Sequence, residues 1–174
     1  MKLDILVWPD GKLTKPSVEV TEFDKELHTL LDDMHETLLG VNGLGLAAPQ
    51  VSVNKRIFII TLPDQSKLEV INPHFTLTAG AKKFENEGCL SLPGERFQTL
   101  RYSRIGLIFK DRNDKVKEYY TEDPLIATEI QHEMDHLNGK LLISDLSTLK
   151  RDMVKSRMLK YKKYQELLKN ASKR

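Results

Sequence analysis

An α+β fold is the class this 174-residue sequence predicts, on three observations. Apolar residues recur at helical spacing between Phe23 and Leu38. Short runs rich in Ile, Phe and Val follow, with turn residues between them. Two more helical patterns close the chain. The order is helix, several strands, helix, helix, and that order fits α+β.

Residues 3–8 form a short apolar segment that ends at the Pro9-Asp10-Gly11 turn. Residues 12–19 are irregular around Pro16. Thr21 and Asp24 then make a start resembling a capping box. Phe23, Leu27, Leu30, Leu31, Met34 and Leu38 give the first helix its apolar face, and Gly40 closes it. His28 and His35 on this helix are expected to be polar-face or edge residues. Gly43-Leu44-Gly45-Leu46-Ala47-Ala48-Pro49-Gln50 is too small and turn-rich for an ordinary helix. It is either a tight connection under the next strand or a place where backbone approaches something closely. Residues 56–62 read as a buried strand. Residues 68–71 and 74–78 read as two more, separated by Asn72-Pro73, with His74 structural. Residues 104–109 and 116–120 form a hairpin around the turn at 111–114. Asp123 as N-cap, Pro124 as first residue and Gly139 as a left-handed stop frame the second helix. The last helix runs from about Ser147 towards Lys169. Leu149, Met153, Val154, Met158, Tyr161, Tyr164 and Leu168 supply its apolar stripe.

This length suits one domain, residues 1–174, with a real core. No run of about 18 apolar residues exists, so no membrane span is read. The amino terminus is unlike a secretory signal, and the expected location is cytoplasmic. One cysteine, Cys89, rules out an internal disulfide framework; a small buried hydrophobe is the ordinary fate of such a residue. From residue 150 to 174 there are ten Lys or Arg against Asp152 and Glu166, which leaves 17 basic and 23 acidic side chains elsewhere. A mildly acidic body with a basic tail points to an anionic partner for the tail.

The stretch Gln131-His132-Glu133-Met134-Asp135-His136-Leu137-Asn138-Gly139 carries the chemistry. Residues four apart share one face of a helix, so His132 and His136 can aim ring nitrogens at a single cation. Glu133 can reach a water beside it. His-Glu-x-x-His is the pattern of a hydrolytic metal site with a carboxylate base. Alone, the two histidines fit a surface pair or satisfied core residues equally well. A third ligand is needed to decide.

Three stretches read together resemble the signature motifs of the peptide deformylases: residues 43–50, then Glu87-Gly88-Cys89-Leu90-Ser91-Leu92-Pro93, then residues 131–139. The family patterns are Gly-x-Gly-Leu-Ala-Ala-x-Gln, Glu-Gly-Cys-Leu-Ser and His-Glu-x-Asp-His, and their signature positions are all filled. The resemblance implies antiparallel or mixed β-sheets packed around a central metal-binding helix. It also implies an amino-terminal helix and a long carboxy-terminal one. It makes Cys89 the third ligand beside His132 and His136, with a fourth position open, which is the catalytic rather than the structural arrangement. Fe2+ is the implied native ion, and Zn2+, Ni2+ or Co2+ can substitute. The implied substrates are nascent peptides beginning with N-formylmethionine, hydrolysed to formate and a free amine. Glu133 is the implied base, and the Gln50 amide and Leu90 N–H the oxyanion donors.

The resemblance also places Gly43, Leu44, Gly45, Glu87, Gly88, Arg96, Leu125 and Glu129 at the substrate. Gly45 lets an extended peptide lie against the backbone. Arg96 is a substrate-side residue or a solvated charge. Asp135, paired with Arg101, and Glu87 are expected to orient the metal ligands. The basic helix, residues 147–174, is expected to dock on ribosomal RNA near the exit tunnel, and the protein to be a monomer. Glu129 and Thr128 depart from the apolar or basic and small residues many relatives carry, and Glu129 is expected to point to water at the rim. Thr99 stands where Val is usual. Two other readings remain: a peptidase cutting internal bonds, though no His or Cys follows His136, and an RNA-binding module with a structural metal.

Overall fold

The computed structural model describes residues 1–171. Helix α1 spans Lys25–Gly40, followed by strands β1 (Gly45–Ala47), β2 (Ile57–Thr61), β3 (Lys67–Glu87), β4 (Phe97–Lys110) and β5 (Val116–Thr121). Helices α2 (Pro124–Leu137) and α3 (Thr148–Ala171) complete the chain. The strands form one sheet in the order β1-β2-β3-β4-β5, antiparallel throughout. One isolated parallel bridge joins Val18 to Lys55.

Strand β2 explains the layering. Successive side chains on a strand point to opposite faces, and Ile57 to Ile60 are all buried. Phe58 and Ile60 pack with Ile126, Ala127, Ile130 and Met134 of α2. Ile57 and Ile59 pack with Leu27, Leu31, Met34 and Leu38 of α1. Around β2 the sheet is therefore covered on both faces, with α2 on one and α1 on the other. A third cluster joins Trp8 and Leu13 to Cys89 and Leu92, and to Val154 and Met158 of α3.

Four local expectations change. Helix α1 begins later than Thr21: Asp24 is the N-cap, its carboxylate accepting from the Leu27 N–H at 2.9 Å. The strands expected either side of Asn72-Pro73 are one strand. The ladder shifts register between Ile71 and His74, and Asn72 takes a positive φ of 51° while its amide bonds both backbone groups of Val20. A bulge absorbs the proline without ending the pairing. His35 is buried at 3% exposure, its Nε2 3.1 Å from Glu69 Oε1, where Arg112 also binds. The stripe on α3 is buried only at Val154 and Met158; Leu149 is 73% exposed and Tyr164 58%. Most of that apolar stripe therefore lies outside the core.

Candidate metal centre and its cavity

Helix α2 starts where its sequence says it should. The Asp123 carboxylate accepts from the N–H groups of Leu125 and Ile126 at 2.9 and 3.1 Å, satisfying donors that a helix start leaves unpaired. Asn138 caps the other end and Gly139 follows at φ 70°. The apolar face of α2 fixes its rotation on the sheet, so His132 and His136 turn together away from Ile126 and Ile130. Their Nε2 atoms lie 3.2 Å apart.

The chain brings Cys89 to this pair from the turn after β3. Its Sγ is 3.3 Å from Nε2 of His136. The three donor atoms lie within 4.8 Å of one another, and all three residues are buried. Burial pushes the Cys89 thiol up, but His136 and His132 outweigh it and bring the group down to about 5. A thiolate and two imidazoles aimed at one point form a donor set for a borderline divalent cation, so these residues fit a metal.

Around the donors runs a network that fixes their orientation. Glu87 Oε1 is 2.7 Å from Nδ1 of His132, which leaves Nε2 to face the sulfur. Arg101 Nε donates to Glu87 at 2.9 Å and its Nη1 to Asp135 at 2.7 Å. Burial pushes the Glu87 carboxyl up, yet His132 and Arg101 hold it at about 2. The Thr99 hydroxyl donates to Glu87 as well, at 2.5 Å, a bond that valine cannot make. Among the described residues, the buried His136 Nδ1 has no hydrogen-bond partner. The pairing of Asp135 with Arg101 was legible in the sequence. The bridging of Arg101 to Glu87 was not, because nothing local links residues fourteen apart on facing strands.

Gln50 sits on a 3-10 turn, Ala48–Val51, held by the Ala47 N–H donating to its Oε1 at 2.8 Å. That bond orients the amide so that Nε2 faces Ser91 Oγ at 3.2 Å and Cys89 Sγ at 3.8 Å. Ser91 closes the Glu-Gly-Cys-Leu-Ser pattern, but its role as the partner of Gln50 was not assigned from sequence.

Glu133 is buried in the centre, and among the described residues its Oε2 has no hydrogen-bond partner. Burial raises its carboxyl well above the ordinary range, and neighbouring Glu129 raises it further. Glu129 is not the rim residue expected. A Cβ added at Gly45 would fall 2.5 Å from Glu129 Oε1 and 2.7 Å from Glu133 Oε1, so both carboxyl groups press against the same point of β1. Burial pushes the Glu129 carboxyl up as well. Glycine at position 45 is what allows two acids to meet there.

One cavity of about 720 Å³ opens beside these groups. Cys89, His132, Glu133, Gln50 and Leu90 form one part of its wall. Gly43, Leu44, Gly45, Glu87, Gly88, Arg96, Leu125 and Glu129 also line it, so every residue assigned to substrate from sequence faces the same space. Arg96 lies over Gly88, whose missing side chain leaves room for the guanidinium. His136 stands behind the wall. Sequence reading missed Lys2, Asp4, Asn86 and Tyr161, which reach the cavity from segments with no motif.

The family model of the polypeptide deformylases matches residues 2–152. A peptide deformylase of Helicobacter pylori (strain HPAG1) is 40% identical over 171 residues, spanning 94% of this chain and 97% of that protein. One of Zymomonas mobilis is 42% identical over 172 residues, with the same shares, 94% and 97%. The crystal structure of a peptide deformylase from Legionella pneumophila superposes with a TM-score of 0.88 at 37% identity, covering 95% of this chain and 98% of that one. A peptide deformylase from Ehrlichia chaffeensis in complex with actinonin gives 0.87 at 35% identity, covering 92% and 97%.

Proposed function

This chain belongs to the polypeptide deformylase family, and from that premise we propose how its own residues divide the work. The reaction is metal-dependent hydrolysis of the N-formyl group from the formylmethionine that begins a nascent polypeptide, with release of formate. The observation that carries the reading is the convergence of Cys89, His132 and His136 within 4.8 Å, beside a buried Glu133.

Cys89, His132 and His136 would hold one divalent cation, Fe2+ natively, with Zn2+, Ni2+ or Co2+ as substitutes. That ion supplies Lewis acidity to the carbonyl and lowers the pKa of water. Glu133 takes the proton of the attacking water as its oxygen bonds to the formyl carbon. The Gln50 amide, already aimed at the sulfur, and the Leu90 N–H donate to the oxygen where negative charge develops. The C–N bond then breaks and Glu133 returns the proton to the departing amine. Its raised affinity for a proton suits both halves of that transfer.

Gly43, Leu44, Gly45 and Gly88 leave a backbone-lined trough for the extended peptide, and Leu125 and Glu129 flank the first side chain. Glu87 orients His132, and Arg96 faces the downstream chain. Cys89, His132 and His136 make the site complete in one copy of the chain, and the reading takes the protein as a monomer with a single domain over residues 1–174. The site of action is the cytoplasm. No helix among the described residues is long and apolar enough to cross a membrane. The exposed basic face of α3 supports docking on ribosomal RNA near the exit tunnel.

The test is formate release from formyl-Met-Ala-Ser by iron-loaded protein without oxygen, with cleavage of the unformylated peptide followed alongside. Formate must appear and internal bonds must survive. Cleavage of the unformylated peptide at a comparable rate would replace this reading with an endopeptidase.

A further inference from the structure

The cavity does not end at the first side chain. Its lining also takes in Arg96 and Pro93, Lys2 and Asp4 of the amino-terminal segment, and Tyr161 on α3. Tyr161 is 37% exposed, and among the described residues its hydroxyl makes no hydrogen bond. Nothing in the reaction uses it.

Helix α3 is held where it puts that ring. Val154 and Met158 are buried against Trp8 and Leu92. Arg157, four residues before Tyr161 and so on the same face, clamps both oxygens of Glu95 at 2.5 and 2.8 Å. Two parallel bonds from one guanidinium fix direction as well as distance. Glu95 belongs to the turn between Pro93 and Arg96, which lines the cavity. Near its other end, Lys169 reaches Asp4 at 3.2 Å, on the segment that forms the facing wall. The helix thus bridges the two lips of the groove, with its tyrosine between them.

We propose that α3 forms the far wall of the peptide groove, where the ring of Tyr161 contacts the nascent chain downstream of its formylmethionine. The inference rests on the deformylase reading. The occupant is committed by continuity: the space beside Tyr161 is the same space that opens on Cys89 and Glu133, so a chain entering it has its amino end at the reacting atoms. Arg157 and Glu95 are positioning residues for the ring.

The experiment is a length series, formyl-Met-Ala, formyl-Met-Ala-Ser and matched peptides of five and seven residues, assayed by formate release with wild-type protein, Tyr161→Ala and Tyr161→Phe. Loss of one partly exposed aromatic contact raises KM by about three- to tenfold, and Tyr161→Ala is expected to show that rise on the longer peptides beyond any change on formyl-Met-Ala. The first length at which the extra cost appears gives the peptide residue at the ring. Tyr161→Phe is expected to follow the wild-type series, because the ring is kept. Glu95→Gln, which loosens the clamp, is expected to move in the direction of Tyr161→Ala. A ratio of mutant to wild-type KM that is constant across all lengths overturns the far wall while leaving deformylation intact. Absence of formate from every peptide with wild-type protein overturns the deformylase reading and the groove with it. Direct binding of the seven-residue peptide to Glu133→Ala protein, with and without Tyr161→Ala, gives the same comparison without turnover.

Discussion

The carboxylate of Glu87 lies 2.7 Å from Nδ1 of His132, and this contact selects the ring nitrogen that faces Cys89. Arg101 holds Glu87 from behind and reaches on to Asp135, so one guanidinium ties the turn carrying the cysteine to the helix carrying the histidines. Glu87→Ala frees the imidazole to rotate and strands Arg101. Loss of such an outer partner weakens metal binding by about ten- to a hundredfold. Competition with a chromophoric chelator checks it, and an affinity equal to wild type would remove Glu87 from the centre's support.

Glu133→Ala removes the proposed proton carrier but none of the three donors. Formate release is expected to fall by about a hundredfold or more, while bound metal per chain stays as in wild type. A variant that retains near-original turnover would exclude Glu133 as the base.

Glu129 and Glu133 meet against Gly45, where Glu129 raises the cost of charge on Glu133. The sign follows directly. Burial first, then Glu129, raises the Glu133 carboxyl, and the base must be ionised to accept a proton. Glu129→Leu takes away the second contribution, so the acid limb of the kcat/KM profile is expected to move to lower pH. A limb that stays in place or moves up contradicts the pairing.

Glu69 offers a stability test far from the metal. Burial pushes its carboxyl up, but Arg112 and then His35 overcome this and hold it near 2, against an ordinary value of 4.5. A depressed carboxyl stabilises the fold fully above its unfolded value, and the contribution is lost as pH falls through the folded one. The gap in urea midpoint between wild type and Glu69→Gln is therefore expected to be constant above about pH 5 and to narrow below it. A gap that widens towards acid would show that the ion pairs are not its source.

Lys160 and Lys163 are exposed on α3. If this face meets ribosomal RNA, Lys160→Glu with Lys163→Glu weakens ribosome co-sedimentation and flattens its dependence on salt, since each lost phosphate contact lowers the slope by about one unit. Identical salt curves for both proteins would reject docking through this face.

Much of this was written in the order of residues. The helix of His132 and His136 declared itself through a spacing of four, its caps through Asp123 and Gly139, and the hairpin through the turn at 111–114. These are local features, fixed by backbone geometry within a few residues, so a linear sequence carries them in full. The three motifs identified the family for the same reason: each is a short run whose residues act together.

What the tertiary structure decided were meetings between distant segments. No periodicity says that Asn72-Pro73 is a bulge rather than a break; the paired strand β4 decides that by continuing its ladder past it. No spacing says that Glu129 turns inwards, because that depends on the space Gly45 leaves on another element. The reach of Tyr161 to the groove depends likewise on Arg157 finding Glu95, 62 residues away. Sequence patterns record which face of an element is apolar. Which groups from other elements stand opposite that face is set only when the whole core packs, and the chemistry of this site lies in those opposite groups.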